Sequence, residues 1–305
     1  MSLVFFGTPV FAIPSLKALL DSGEKVEAVV TQRDKKQGRG RRLMPPPVKE
    51  FALERGLRVL QPAALRDEAL ERELASLSPE VMVVVAYGKI LPPALLRIPP
   101  MGVVNVHASL LPRYRGASPI AWAIMNGEAE TGVTTMLMNE GLDEGDVLLA
   151  ESVRIEDEDT AGSLSERLSA VGARLLVETL RGMREGSVRP APQAGEPSFA
   201  PPFKKEDGRV DWSRPARELY NFVRGMDPWP GAFSSLSGER IRLLRVRPAE
   251  GRAGPGEIVL RDGGILVGTG DGLLAIEELQ PEGKRPMAAA AFLSGRKVRG
   301  GEVFQ

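Results

Sequence analysis

The chain has 305 residues, of which 43% are hydrophobic and 26% charged, so it is long enough for two domains and apolar enough to form a core. Its 40 basic residues balance its 40 acidic residues, which limits any nucleic-acid contact to a local patch. The lack of cysteine and the single histidine, His107, exclude disulfides, thiolate metal sites and multi-histidine metal sites, and we predict no bound metal. No basic segment precedes the first apolar run and no apolar stretch reaches about 20 residues, so we expect a cytoplasmic protein without a membrane span.

The first half of the chain alternates short apolar runs with segments of helical periodicity. Strands are predicted at Leu3–Phe6, Lys25–Thr31, Val81–Ala86 and Val103–His107. Helices are predicted at Ile13–Ser22, Val48–Arg55 and Asp67–Ser76. This alternation predicts an α/β domain with a mostly parallel sheet and helices on both faces. Because such sheets bind ligands beyond the carboxyl ends of their strands, we expect the chemistry in the loop that follows His107.

The second half begins with a long amphipathic helix, predicted from Thr160 to about Arg184. The Pro-rich stretch 189–203 ends that pattern and predicts a semi-rigid linker, because each proline fixes φ and removes a donor. Beyond it, a helix and then short strands between Gly and Asp turns are predicted at Pro215–Arg224, Ile241–Val246, Glu257–Leu260, Ile265–Val267 and Leu273–Ile276. The predicted organisation is a first domain at 1–189, a linker at 190–205, and a small β barrel or sandwich at 206–305.

Asn105 and His107 lie two residues apart on a predicted strand, so their side chains point to the same face of the sheet. A neutral histidine can accept a proton, and an asparagine amide can donate to a developing oxyanion. Chemistry at an amine and a carbonyl needs both abilities in one place. The spacing alone also fits a histidine that only satisfies its hydrogen bonds at a strand end.

The segment NEGLDEGDVL (139–148) is rich in acidic residues and glycine. A carboxylate from Asp143 placed against His107 would orient the imidazole ring and raise its basicity. The same residues fit ordinary turn chemistry, since Asp and Gly both favour turns. With 36 positions between Asp143 and His107, the sequence leaves the two interpretations open.

The segment RDKKQGRGRR (33–42) holds six basic residues and one acidic residue. It follows a predicted strand, at the edge of the sheet where ligands bind. A solvated loop is one interpretation, and a basic arm that neutralises phosphates is the other. Its position at the carboxyl end of a strand favours the basic arm.

Three other catalytic motifs are absent. The segment GTPVFA (7–12) supplies only one of the glycines of a dinucleotide-binding turn, and no phosphate-binding G-x-x-x-x-G-K-[ST] motif occurs. Ser109 and His107 would be poorly placed as a hydrolase pair, and G-x-S-x-G is missing.

The segment VVNVHASLLPRYRGASPIAWAIMNGE and the later L-D-E-G-D resemble the centre of the 10-formyltetrahydrofolate-dependent formyltransferases. Three further stretches resemble the branch of that family that formylates methionyl-tRNA: GRGRRLMPPPVK (38–49), DGRVDWSRPARELYNFVRGMDPWPGA (207–232) and LQPEGKRPMAAAAFLSGR (279–296). Together with the GTPVFA start, the resemblance covers nearly the whole chain. It implies a Rossmann-like domain followed by an OB-like β barrel that binds tRNA, which agrees with the elements predicted above.

The resemblance implies site residues, motif by motif. By this resemblance, the catalytic residues are Asn105, His107 and Asp143. The tetrahydrofolate site is lined by Ser109, Leu110, Leu111 and Pro112, and bordered by Val85–Ile90 with Tyr87 and Gly88. The acceptor end of initiator methionyl-tRNA meets the basic segment through Lys35, Lys36, Arg39, Arg41 and Arg42. This chain departs from the family in the KKQ before G-R-G, so the tip of the segment would contact RNA differently. We expect a monomer that uses 10-formyltetrahydrofolate as its formyl donor and no metal.

Other functions fit part of the pattern. Glycinamide ribonucleotide formyltransferases share the N-x-H and Asp residues but lack the β domain. Sugar-nucleotide formyltransferases resemble both domains but do not need the basic segment 33–42. A non-catalytic RNA-binding protein would suit the basic segment but not the Asn105 and His107 pair. Four arginines alternate in part on a predicted strand, where they form either a path for RNA or a solvated face: Arg240, Arg242, Arg245 and Arg247.

Overall fold

The computed structural model describes residues 1–37, 42–296 and 298–305. Contacts among these residues divide the chain into two compact units. The first unit comprises Met1–Pro119, Glu130–Arg154 and Ser165–Ala200. The second comprises Ile120–Ala129, Ile155–Leu164 and Pro201–Gln305. The boundaries predicted at 189 and 205 stay a prediction.

The elements up to residue 200 include the predicted strands and helices and several more. The strands are β1 (Ser2–Gly7), β2 (Lys25–Val30), β3 (Lys35–Gln37), β4 (Arg42–Met44), β5 (Val59–Leu60), β6 (Val81–Val85), β7 (Val103–His107), β8 (Arg115–Gly116), β9 (Glu130–Leu137), β10 (Val147–Arg154) and β11 (Phe199–Ala200). The helices are α1 (Ile13–Asp21), α2 (Pro47–Leu53), α3 (Glu68–Ser76), α4 (Pro93–Leu96), α5 (Pro119–Met125) and α6 (Ala161–Glu185).

The main sheet of the first unit has the strand order β10-β9-β7-β6-β1-β2-β5. The five neighbouring strands β7, β6, β1, β2 and β5 are parallel, as predicted. Strands β9 and β10 add an antiparallel edge. The apolar strand β1 and the Val-rich strands β6 and β7 are buried along nearly their whole length, as strands covered on both faces should be. The carboxyl ends of β6 and β7 are neighbours, with Val84 opposite Asn105.

Strands β9 and β10, of eight residues each, are the longest elements that the sequence analysis did not predict, and β9 is the one that pairs with β7. Its threonines hide the apolar pattern of the segment ETGVTTML, although they are buried. The hydroxyl of Thr134 donates to the Ser109 carbonyl at 2.7 Å, and the hydroxyls of Thr135 and Thr179 lie 2.8 Å apart. Because these hydroxyls are hydrogen-bonded, burying them costs little, and a polar sequence forms a core strand.

The predicted linker is not free of the first unit. Ala191 exchanges two backbone hydrogen bonds with Val147, and β11 pairs in parallel with β8. The prolines of this segment cannot donate, so these bonds come from the residues between them. Residues 191–200 therefore pack beside the loops that follow β7 and β9.

The second unit continues with α7 (Ala216–Met226), β12 (Phe233–Leu236), β13 (Glu239–Ala249), β14 (Ile258–Arg261), β15 (Gly264–Gly268), β16 (Leu273–Pro281), β17 (Met287–Ala288) and α8 (Ala289–Gly295). Its sheet is antiparallel, with the order β12-β13-β16-β15-β14 and β17 paired to β16. One face of α7 packs into the apolar core of this sheet through Leu219 and Val223. The predicted helix followed by a small β domain is confirmed. No helix among the described residues is both long and apolar enough to cross a membrane.

Candidate active site

Strand β7 carries Asn105 and His107 to the carboxyl edge of the main sheet. Their side chains share a face because they are two residues apart, and they are only 8% and 6% exposed. The neighbouring strand β9 pairs with this end of β7, with His107 opposite Thr134. The two side chains therefore lie in a sheltered setting where hydrogen bonds and charges act more strongly than in water.

Asp143 reaches the same place from the loop after β9. Its Oδ1 lies 3.5 Å from Asn105 Nδ2, and its Oδ2 lies 3.6 Å from His107 Nδ1. The backbone N–H of Gly116 donates to Oδ2 at 2.8 Å. The structure thus brings together the three residues predicted to be catalytic, although 36 positions separate Asp143 from His107.

The imidazole of His107 is oriented by a backbone group that the sequence analysis did not identify. Its Nε2 lies 3.0 Å from the Tyr114 carbonyl oxygen. Because a carbonyl only accepts hydrogen bonds, Nε2 carries the hydrogen and Nδ1 faces the Asp143 carboxylate. In the neutral ring Nδ1 is therefore the acceptor nitrogen, and it lies beside the Asp143 carboxylate.

Gly116 can be only glycine at its position in β8. Its φ is +121°, and a Cβ there would lie 2.8 Å from the Ala200 carbonyl oxygen. The close pairing of β8 with β11 depends on the missing side chain. The same pairing sets the position of the N–H that holds the Asp143 carboxylate.

The residues predicted to line the folate site divide into interior and accessible groups. The Ser109 hydroxyl is fully buried and donates to the Arg113 carbonyl, so it stabilises the loop rather than facing a ligand. The Leu111 N–H donates to Thr134 Oγ1, and Pro112 is buried. Leu110 and Leu111 are both partly exposed, so their side chains retain accessible apolar surface in this loop.

The segment after β6 divides in the same way. Tyr87 is 1% exposed, and its ring packs edge-on against Phe6, so only its backbone can border a ligand. Burial raises the pKa of Tyr87 to about 12. Gly88 has a left-handed φ of +78°, and after it Ile90 is 76% exposed. The exposed turn at 86–90 follows the strand beside His107, and it offers apolar surface to a planar ring.

The basic segment is described only at its two arms. β3 and β4 pair antiparallel, which places Lys36 opposite Leu43, and Lys35, Lys36 and Arg42 are exposed. Arg39 and Arg41 lie outside the described residues.

The base of this segment is held by Asp34. Lys49 Nζ lies 2.8 Å from both carboxylate oxygens of Asp34, and Gln61 Nε2 donates to one of them. The Lys49 hydrogen bond, followed by that of Gln61, lowers the pKa of Asp34. The base of the basic segment therefore carries a fixed, ionised anchor.

A cavity of about 470 Å³ opens in the first unit where β1 and β2 end. Its wall is apolar at Val10, Phe11 and Met44, and Arg33 and Lys35 also line it. Val10 and Met44 are among the exposed large apolar side chains. The cavity can thus take a group with an apolar part and an anionic part.

The four arginines of β13 each have a partner inside the second unit. Arg240 lies 3.5 Å above the Phe233 ring, and Arg242 pairs with Asp227. Arg245 and Arg247 share Glu277, with N–O distances of 2.9 Å. These partners favour a solvated, charge-balanced face over a continuous RNA path. Among the described residues, no three His, Cys, Asp or Glu side chains are grouped to hold a metal ion.

Sequence comparisons identify the family. The family described as "Formyl transferase" matches residues 1–180, and "Formyl transferase, C-terminal domain" matches residues 202–297. The chain belongs to the formyl transferase family. Two curated relatives within it, both described as methionyl-tRNA formyltransferase, come from Thermodesulfovibrio yellowstonii and Pelobacter propionicus. The first is 52% identical over 98% of this chain and 97% of its own, and the second 53% identical over 99% and 96%.

Solved structures of two other proteins share the fold at low identity. An N-formyltransferase from Helicobacter canadensis, solved with folinic acid and dTDP-3-aminofucose, aligns over 90% of this chain and 97% of its own with a TM-score of 0.67 and 18% identity. HypX from Aquifex aeolicus, solved with tetrahydrofolic acid, aligns over 95% of this chain with a TM-score of 0.64 and 21% identity. This chain spans about half of HypX, 46% of its length. These likenesses confirm the predicted fold class.

Proposed function

We infer that this chain transfers the formyl group of 10-formyltetrahydrofolate to the α-amine of methionyl-initiator-tRNA, which gives the formylated tRNA that starts translation. The observation that carries this conclusion is the identity of about half of all residues to methionyl-tRNA formyltransferases over nearly the full length of both chains. The cluster of Asn105, His107 and Asp143 supplies the donors and proton carriers that the reaction needs.

The residues beside the cluster fit a folate. The exposed turn at 86–90 offers an apolar side chain, Ile90, and an exposed backbone at Gly88. Leu110 supplies apolar surface in the loop after β7. When bound there, 10-formyltetrahydrofolate supplies an activated formyl group. Tyr87, Ser109 and Pro112 support this site from the interior.

In the transfer, Asn105, His107 and Asp143 stabilise the developing negative charge and carry the proton. The amine nitrogen bonds to the formyl carbon, the bond from that carbon to the folate nitrogen breaks, and one proton passes from the amine to the folate nitrogen. Asn105 Nδ2 and a protonated His107 Nδ1 donate to the oxygen that gains charge, a contribution of about 2.7–4 kcal/mol per donor. His107 and Asp143 carry the proton, and the Tyr114 carbonyl keeps Nδ1 turned toward Asp143.

The tRNA would meet the first unit at its basic segment. Lys35 lines the cavity where β1 and β2 end, Lys36 and Arg42 are exposed on the adjoining strands β3 and β4, and Arg39 and Arg41 continue the segment in the sequence. Basic side chains neutralise phosphates, and the apolar wall of the cavity suits a methionyl side chain. We propose that this surface meets the acceptor end of the tRNA. We also propose a cytoplasmic location, because translation takes place there. The monomeric state stays a prediction.

The test is formyl transfer from 10-formyltetrahydrofolate to methionyl-tRNA by the unaltered protein and by His107→Ala. We expect transfer by the unaltered protein and a loss on the order of 10²–10⁴-fold in the variant, because the proton carrier is gone. Unacylated tRNA and an aminosugar nucleotide serve as parallel acceptors. Transfer to the aminosugar alone would contradict the tRNA substrate and keep the formyl chemistry.

A further inference from the structure

Gln193 lies in a part of the chain that neither family region covers, since the matches end at residue 180 and resume at residue 202. In sequence it stands in the Pro-rich stretch predicted to be a linker. In the structure it is half-buried beside the loop that carries Asp143. Its contacts concern the backbone of that loop rather than the reacting side chains.

The amide of Gln193 has four hydrogen bonds. Nε2 donates to the Asp143 carbonyl at 2.7 Å and to the Gly145 carbonyl at 2.8 Å. Oε1 accepts from Arg115 Nη2 at 2.7 Å and from Arg115 Nε at 3.2 Å. A glutamine amide has two donor hydrogens and two acceptor lone pairs, so this network uses all four. It also fixes the orientation of the amide, because carbonyls only accept and a guanidinium only donates.

The bond to the Asp143 carbonyl acts at a strained position. Asp143 has a φ of +51°, in the left-handed region that costs energy for any residue with a side chain. Such a conformation persists where its surroundings hold it. Gly116 holds the Asp143 carboxylate from β8, and Gln193 holds the carbonyl of the same residue. Arg115, next to Gly116, links both contacts through Gln193.

We propose that Gln193 is a positioning residue for formyl transfer: its amide holds the 139–146 loop so that the Asp143 carboxylate stays beside Asn105 and His107. The proposal rests on the proposed function and adds to it a residue from the segment between the two family regions. Gln193 touches none of the three reacting side chains through their functional groups. Its effect passes through the backbone of Asp143 and Gly145.

Two substitutions separate donation to the loop from the other contacts of Gln193. Gln193→Ala removes all four hydrogen bonds. Gln193→Glu keeps the size and the Arg115 contact, but it places a carboxylate oxygen against two carbonyl oxygens. We expect kcat to fall on the order of 10- to 100-fold in both variants, with KM for methionyl-tRNA and for 10-formyltetrahydrofolate within about twofold, because misplacing a reacting group costs rate more than binding. Glu196→Ala, an exposed position in the same segment, is the matched control and keeps the full rate.

A second measurement does not depend on activity. Amide hydrogen exchange of the peptide 139–146 should be faster in both Gln193 variants and unchanged in Glu196→Ala, with thermal unfolding used to confirm that each variant is folded. A full rate in Gln193→Glu, a raised KM with unchanged kcat, or unchanged exchange in the loop would each overturn the proposal. An unaltered protein that transfers no formyl group would contradict the proposed function instead, and the exchange experiment would still decide the role of Gln193.

Discussion

Each unit contains a buried cluster of polar side chains, and the two clusters differ in how closely their side chains are hydrogen-bonded. In the first unit, Asp143 lies 3.5 and 3.6 Å from Asn105 and His107, too far for strong hydrogen bonds among the three. In the second unit, Arg224 on α7 donates to the Asp159 carbonyl at 2.9 Å and to Asn221 Oδ1 at 2.6 Å.

The difference lies in which atoms are held. In the first cluster each short bond involves a backbone group: His107 Nε2 donates to Tyr114 O, the Gly116 N–H donates to Asp143 Oδ2, and Gln193 Nε2 donates to the Asp143 carbonyl. These bonds leave His107 Nδ1 and Asp143 Oδ1 at distances of 3.5 Å or more from their neighbours in the cluster. In the second cluster the charged group itself is held, and the Arg224 guanidinium lies 4.5 Å above the Tyr220 ring. The cluster proposed to be catalytic keeps side-chain atoms available to a substrate, whereas both terminal nitrogens of Arg224 are bonded within the protein.

The largest expected effect comes from removing one charge in the first cluster. Asp143→Asn keeps the size and an oxygen that accepts from Gly116 N–H, so the loop should stay in place. The negative charge that faces His107 is lost, and we expect kcat to fall on the order of 10²–10⁴-fold with little change in stability. Single-turnover transfer to methionyl-tRNA measures it. Asp146→Asn, at an exposed position in the same loop, is the control and keeps its rate.

The reverse pattern is expected in the second cluster. Arg224→Met keeps the apolar stem of the side chain but leaves the Asp159 carbonyl and the Asn221 amide without their donor. The free energy of unfolding should fall by about 1–3 kcal/mol, while the rate per folded molecule is unchanged. Urea unfolding and the transfer assay measure the two quantities. Arg217→Met removes an exposed ion pair with Asp157 and should cost less than about 1 kcal/mol. A loss of rate in folded Arg224→Met would remove the contrast between the clusters.

The smallest effect concerns Tyr87, which belongs to neither cluster. Its hydroxyl has no hydrogen-bond partner within the described parts of the chain, so Tyr87→Phe should leave stability at pH 7 unchanged or slightly higher. The folded protein raises the pKa of Tyr87 from 10.0 to about 12 and so binds its proton more tightly than the unfolded chain. The unaltered protein should therefore lose stability as the pH rises from 10 toward 12, and Tyr87→Phe should lose less. Thermal unfolding at a series of alkaline pH values measures this difference. Equal losses in both proteins would contradict the assignment.

Much of the site could be predicted because it follows strand rules. The spacing of Asn105 and His107 on a Val-rich strand placed both side chains at the ligand-binding edge of the sheet. The acidic segment made Asp143 a candidate, but only the family resemblance favoured it over ordinary turn chemistry, since no local rule brings a residue 36 positions away to His107. The sequence could not identify the Tyr114 carbonyl as a partner of His107, because every residue has a backbone carbonyl. Gln193 was missed because proline composition dominated its segment, and β9 was missed because its buried threonines read as polar.

The pairing of β11 with β8 has a consequence for exchanging modules between related enzymes. Residues 191–200 are part of the first unit, although they follow its last helix, α6. A chimaera joined at residue 189 would take Gln193 and the partner strand of Gly116 from the foreign protein. A chimaera joined after Ala200 would keep both with the loops that they support. The first unit therefore extends about 15 residues beyond the end of the helix at Glu185, as far as Ala200, and modules are best exchanged after that residue.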